Sequence, residues 1–203
     1  MPLPEQVRQI GQRIVDWFDQ KDSGNDPPPY QVYVYPPKQE WKTRQILGDL
    51  ATWMATPGRR VGCVSISLAE VFWQALDSSG WTEELFGQER EAAGNPSAQA
   101  EIHRAVAELL RSPVSFSSRV IEAVEAAIPG PDPAAAFLYR AGSLYPVFRT
   151  SGLLDDIRPR LHVPVTLLYP GEIRGDFGLR FMGRWDPTYN YRALIVDGTG
   201  RSR

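Results

Sequence analysis

Apolar side chains recur along the chain with two periods, and the switches between them outline alternating helices and strands. Val7, Ile10, Ile14, Trp17 and Phe18 follow helical spacing, so residues 4–20 are predicted as an amphipathic helix. The stretch from Asp22 to Pro29, rich in turn formers, ends it. Tyr30-Gln31-Val32-Tyr33-Val34-Tyr35 then alternates in β-forming residues and reads as a strand stopped by Pro36-Pro37. Trp41, Ile46, Leu47, Leu50 and Trp53 lie on the broad face of a second helix, which Pro57-Gly58 closes, and Val61 to Ile66 is the second strand. A helix between two such strands predicts that they pair in parallel through a right-handed crossover.

Ser67 is placed to cap the next helix, whose buried face is Leu68, Val71, Phe72, Ala75 and Leu76 and whose end is Gly80. Two further helical patterns, 97–110 and 115–128, are separated by Pro113 and ended by Pro129-Gly130-Pro131. Strand three is Ala134 to Tyr139. A short helix over 144–160 broken at Gly152, strand four from Val163 to Leu168, and strand five from Tyr191 to Val196 follow. Residues 198–203 read as a frayed tail. The pattern predicts one α/β domain over 1–203: a central, mostly parallel sheet flanked by helices, with a helical insertion at 82–131 between strands two and three.

Composition narrows the function classes. A chain of 203 residues can bury a sizeable core without staples, and Cys63, its one cysteine, can form no internal disulfide. No apolar run approaches the roughly 18 residues of a membrane helix. The start, Met1-Pro2-Leu3-Pro4-Glu5, lacks the basic and apolar parts of a secretory leader, so a cytoplasmic location is expected. Net charge of −2 argues against a surface wholly devoted to nucleic acid but leaves room for a local basic patch. Only Lys21, Lys38 and Lys42 are lysines, and Arg174, Arg180, Arg184 and Arg192 gather near the end. Arginine suits bidentate contact with carboxylates and phosphates and is enriched at interfaces, although a GC-rich coding bias produces the same surplus.

Most catalytic readings fail on their own chemistry. No lysine follows a glycine, so no P-loop exists to place an ammonium on phosphates. Gly142 and Ser143 offer a weaker reading, backbone amides turned toward an anion at the start of a helix; the plainer one is a turn at Gly142 and a helix cap at Ser143. Ser143 lacks the flanking glycines of a nucleophile elbow, and His103 and His162 read as structural. Cys63, His103 and His162 have no metal-ligand spacing, so neither a metal nor a cofactor is expected. Asp155 and Asp156 are expected to face solvent, Asp186-Pro187 to form a turn, and Glu172 to pair with Arg149 or Arg192 as a structural bridge. Tyr145, Tyr169, Phe177, Phe181, Trp185, Tyr189 and Tyr191 crowd among arginines, a mixture found at protein interfaces; Trp185 and Tyr189 are the expected surface anchors.

Three segments carry a family resemblance. Gly142, Tyr145, Pro146 and Arg149 lead to Leu153-Leu154; a buried strand ends in Pro170-Gly171-Glu172; Phe181 and Gly183 lead to Tyr191-Arg192-Ala193. In this order they resemble the BrxB family, an accessory component of BREX phage-defence systems, with Tyr35-Pro36-Pro37 as a looser match near the start. The resemblance implies a non-enzymatic adaptor that supports host-DNA methylation and phage exclusion. It also implies a PglZ-like, alkaline-phosphatase-like protein as direct partner, and an ATPase and an adenine-specific DNA methyltransferase in the wider complex. The residues expected to meet the partner are Tyr145, Arg149, Glu172, Trp185, Tyr189 and Arg192. Two alternatives stand beside it. One is a degenerate nucleotide or nucleic-acid binder without a Walker A motif, using Gly142, Ser143, Arg174 and Arg180. The other is a small metal-dependent hydrolase centred on Glu172.

Overall fold

The structure is a computed structural model that describes residues 3–20, 26–128, 130–175, 178–184, 186–189 and 191–199. Helix α1 (Glu5–Gln20) buries Val7, Ile10 and Ile14 as their spacing predicts, together with Val15, while Trp17 and Phe18 are half-buried. Strand β1 (Tyr30–Tyr35) is buried at all six positions, as expected of a strand covered on both faces. After a 3-10 turn at Pro37–Gln39 come α2 (Glu40–Met54) and β2 (Gly62–Ser67). Ser67 then caps α3 (Leu68–Ser79) by accepting the Glu70 N–H at 3.3 Å, and Gly80 closes that helix in the left-handed region at φ 75°.

The insertion between β2 and β3 holds three further helices, α4 (Thr82–Glu91), α5 (Pro96–Leu109) and α6 (Phe116–Ala127). Asn95 caps α5 through Ser97 and Ala98, and Ser115 caps α6 through Ser118. Then follow β3 (Ala134–Tyr139), a 3-10 turn at Ala141–Leu144, α7 (Thr150–Ile157), β4 (Val165–Arg174), β5 (Gly178–Phe181) and β6 (Leu194–Asp197).

Five strands run parallel in the order β2-β3-β4-β1-β6, and β5 folds back antiparallel onto the far half of β4. The sheet is therefore central and mostly parallel, and helices cover both faces. On one side Val32, Val34, Leu138, Leu167 and Tyr169 pack with α3, α6 and α7 through residues such as Leu68, Phe116, Val120 and Leu153. On the other, Tyr33, Tyr35, Phe137 and Leu168 pack with Ile10 and Ile14 of α1 and Leu50 and Met54 of α2. Burial on alternate faces of these strands is the main source of stability, at roughly 1.5–3 kcal/mol for each large apolar side chain.

Several expectations need correction. β1 and β2 are parallel but do not pair; β1 lies between β4 and β6, with Tyr30 opposite Val165 and Gln31 opposite Leu194. β4 does not stop at Leu168. It runs through Pro170-Gly171-Glu172 to Arg174, because its outer half finds a new partner in β5, a strand that the apolar pattern did not reveal. The helix expected over 144–160 is a 3-10 turn and the separate α7, with Gly152 inside α7 and not at a break. β6 begins at Leu194, since Tyr191 is drawn off by other contacts described below. Of the tail expected to fray, Gly198 donates its N–H to Val34 at 2.8 Å and Thr199 bonds Asp197; residues 200–203 lie outside the described residues. No helix among the described residues is long and apolar enough to cross a membrane.

Candidate functional site

Parallel strands put their carboxyl ends on one side of a sheet, where α/β proteins build their sites. Here the ends of β3 and β4 meet there. At the end of β3, Arg140 takes the left-handed conformation (φ 58°) and starts the 3-10 turn. Ser143 sends both its hydroxyl (2.7 Å) and its N–H (3.2 Å) back to the Arg140 carbonyl, and the Tyr145 N–H bonds Gly142 (3.2 Å). Ser143 therefore locks this turn and caps no helix, and its amide points inward. Gly142 marks a close approach: a Cβ there would stand 3.3 Å from the flexible Met182 Sδ and 3.6 Å from Pro170 Cγ. The left-handed turn belongs to Arg140.

β4 supplies the second wall. Gly171 faces Phe181 in the β4–β5 hairpin, and a Cβ at Gly171 would lie 2.4 Å from the Arg180 carbonyl and 2.6 Å from the Tyr169 ring. The Pro-Gly-Glu element is thus the point where the hairpin crosses a tyrosine at closest range. Glu172 stands opposite Arg180, but its ion pair is with Arg174 (2.6 Å) along its own strand and not with Arg149 or Arg192. Arg174 is thereby partly neutralised, and the Nε of Arg180 is buried with no hydrogen-bond partner among the described residues.

The third segment wraps the hairpin. Met182 and Gly183 both take positive φ (52° and 66°), and Thr188 then bridges Leu179 through two backbone hydrogen bonds of 2.9 and 3.0 Å. This brings Tyr189 across β5, close enough that a Cβ on Gly178 would lie 2.8 Å from its ring, yet the residue is 62% exposed. Trp185 lies outside the described residues, as does Phe177.

Aromatic contacts bind the three segments. Phe181 lies 6.3 Å from Tyr145 and 5.2 Å from Tyr169, and Tyr169 meets Tyr191 edge-on at 5.7 Å. The Tyr169 hydroxyl donates to the Leu179 carbonyl at 3.2 Å. The Tyr191 hydroxyl is 3.2 Å from that of Thr150, which is buried at the start of α7. Burial pushes both phenols above the ordinary tyrosine range, Tyr169 strongly; hydrogen bonds to Thr150, Tyr169 and Ser151 oppose the shift at Tyr191, and the Arg149 guanidinium opposes it more weakly at both. Both stay protonated near neutral pH and act as hydrogen-bonding struts. Arg149, exposed just before α7, extends Nη1 to 3.5 Å from Thr188 Oγ1.

Of the residues predicted from sequence, Tyr145, Arg149, Glu172 and Tyr189 thus belong to three segments joined at one corner. Tyr145 is half-buried in the aromatic cluster, whereas Arg149, Glu172, Tyr189 and Arg192 are exposed. Thr150 and Thr188, which tie the segments together, carry no sequence signal beyond their type. His103 and His162 are exposed; Asp155 and Asp156 face solvent as expected, with Ser117 donating to Asp156 at 2.7 Å. Among the described residues no group of three or more His, Cys, Asp or Glu side chains is arranged to hold a metal.

Set against known proteins, residues 64–196 match the family model described as BREX protein BrxB. The match spans roughly two thirds of the chain, from inside β2 to inside β6, and contains all three segments of the corner. Tyr35-Pro36-Pro37 falls outside it. No curated protein matches the chain.

Proposed function

Because the chain belongs to the BrxB family of BREX proteins, we propose that it acts as a non-enzymatic adaptor, binding a PglZ-like protein of its own locus in support of host-DNA methylation and phage exclusion. An ATPase and an adenine-specific DNA methyltransferase are the further members of the assembly it serves, and the cytoplasm is where it works. The observation that carries this reading is the division of labour at the corner. Tyr145, Phe181, Tyr169 and Tyr191 interlock as a rigid support, and Arg149, Glu172, Tyr189 and Arg192 are left on the outside. An exposed tyrosine held by a close-packed neighbour, with arginines around it, has the composition of an interface anchor. The buried hydroxyls are committed to structural hydrogen bonds, an arrangement suited to holding shape.

The test is capture of the PglZ-like protein by the tagged chain, repeated with Tyr189→Ala and Arg149→Ala. Both variants should fold and lose the partner. A folded double variant that still retains the partner contradicts this surface. The alternative nucleotide-binding reading draws less support, because Arg174 is paired with Glu172 and the Ser143 amide is taken by Arg140.

A further inference from the structure

A second surface, separate from that corner, lies on the helical insertion. Helix α4 has no fully buried residue, and α5 has only Val106. A ten-residue helix is marginal without tertiary packing of an apolar face, yet α4 carries Leu85 and Phe86, and Trp81 immediately precedes it. Trp81 is 52% exposed and Phe86 39%; Trp73 of α3, 44% exposed, lies 6.0 Å from Phe86. Three large aromatic side chains are thus left uncovered at the α3–α4 junction.

Beside them runs a groove of about 410 Å³ between α4 and α5. Its walls are two stripes at helical spacing: 81, 84, 85 and 88 on one side, 105, 108, 109 and 112 on the other. Two parallel ridges of this kind are what a third helix packs against. The floor is apolar, with Leu85, Ala105 and Leu109, and the charged lining groups are both acids, Glu84 and Glu108. The surroundings have the same sign. Residues 82–131 hold eight acids against four arginines, so this segment is more negative than the whole chain, whose net charge is −2.

We propose that this groove is a docking site for a basic amphipathic helix of another protein, its apolar face on Leu85, Leu109 and Trp81 and its lysines or arginines over Glu84 and Glu108. Helical ridges select the helix, and the acidic rim selects its charge. Docking supplies the apolar cover that α4 lacks, so the insertion gains order when the partner is bound. The surface does not depend on the corner formed by β3 and β4, and either can fail without the other.

The experiment uses the full chain and a labelled probe peptide of about 18 residues, long enough for a stable helix in the bound state. The probe carries leucines along one face and lysines and arginines along the other; a control has every basic residue replaced by Glu. Fluorescence anisotropy should show saturable binding of the basic probe and none of the control. The double variant Glu84→Lys/Glu108→Lys should weaken binding at least about tenfold, and Trp81→Gln should do likewise, with the helical circular dichroism of both unchanged. Equal binding of both peptides, or unchanged affinity in the two variants, overturns the proposal. So does light scattering that shows a dimer of the chain abolished by Glu84→Lys/Glu108→Lys, which would make a second copy the occupant, or partition onto neutral lipid vesicles that Trp81→Gln removes.

Discussion

Tyr191 meets Tyr169 edge-on with ring centroids 5.7 Å apart, and this contact joins the segment before β6 to the end of β4. It explains why β6 starts three residues later than alternation predicts: Tyr191 is held in the corner by Tyr169 and Thr150 and cannot enter the ladder with β1. Tyr169 is in turn fixed through its hydroxyl on the Leu179 carbonyl. Tyr169→Phe keeps the ring but removes one of the two donors to that carbonyl, which retains the Thr188 N–H, at an expected cost of about 0.5–1.5 kcal/mol. Thermal unfolding should fall by roughly 1–6 °C, and unchanged stability would show that the hydroxyl carries no weight.

The buried phenols also set an alkaline limit. Burial raises the folded-state pKa of Tyr30, Tyr33, Tyr35, Tyr169 and Tyr191 above the ordinary value, so the unfolded chain releases these protons first. Their contribution is fully present below about pH 10 and is lost as the pH rises above it. Denaturant midpoints should therefore decline from about pH 10 upward. In a titration followed by phenolate absorbance, these five should ionise only as the protein unfolds.

Gly171 is the tightest point of the corner. A methyl group there would meet the Arg180 carbonyl at 2.4 Å and the Tyr169 ring at 2.6 Å, neither of them a flexible chain end. Gly171→Ala should destabilise by about 1–3 kcal/mol, the usual cost of overpacking, and should loosen the hairpin. Near-ultraviolet circular dichroism, sensitive to the Tyr169 and Phe181 packing, should weaken in parallel with the loss of stability.

β1 and β3 were legible to the residue, because Tyr30 to Tyr35 and Ala134 to Tyr139 are bounded by prolines or a charged turn. The helix cap at Ser67 was legible for the same local reason. The sheet order was not, since β1 lies between β4 and β6, strands far from it along the chain, and local pattern carries no signal for such pairings. β5 escaped notice because four residues containing Gly178 and Arg180 form a strand only when β4 is present to pair with them. At the site, the residue types were visible, but their partners were not. Glu172 chose Arg174, and Arg140 rather than Gly142 took the left-handed turn.

Two polar groups should separate stability from binding. Ser67→Ala removes the cap on α3 and should cost about 1 kcal/mol. Glu172→Gln breaks an ion pair whose side chains are about half exposed and should change stability by no more than about 0.5 kcal/mol. Loss of a partner by Glu172→Gln, measured alongside its melting curve, would then report on the interface alone.

The adaptor reading is tested most directly by expressing the tagged chain with the PglZ-like protein of its locus and measuring the mass of the purified species by light scattering. A single stable complex containing both chains, lost in Tyr189→Ala/Arg149→Ala, is the expected result. Elution of the unaltered chain at its own mass, with the PglZ-like protein present and folded but separate, would contradict it.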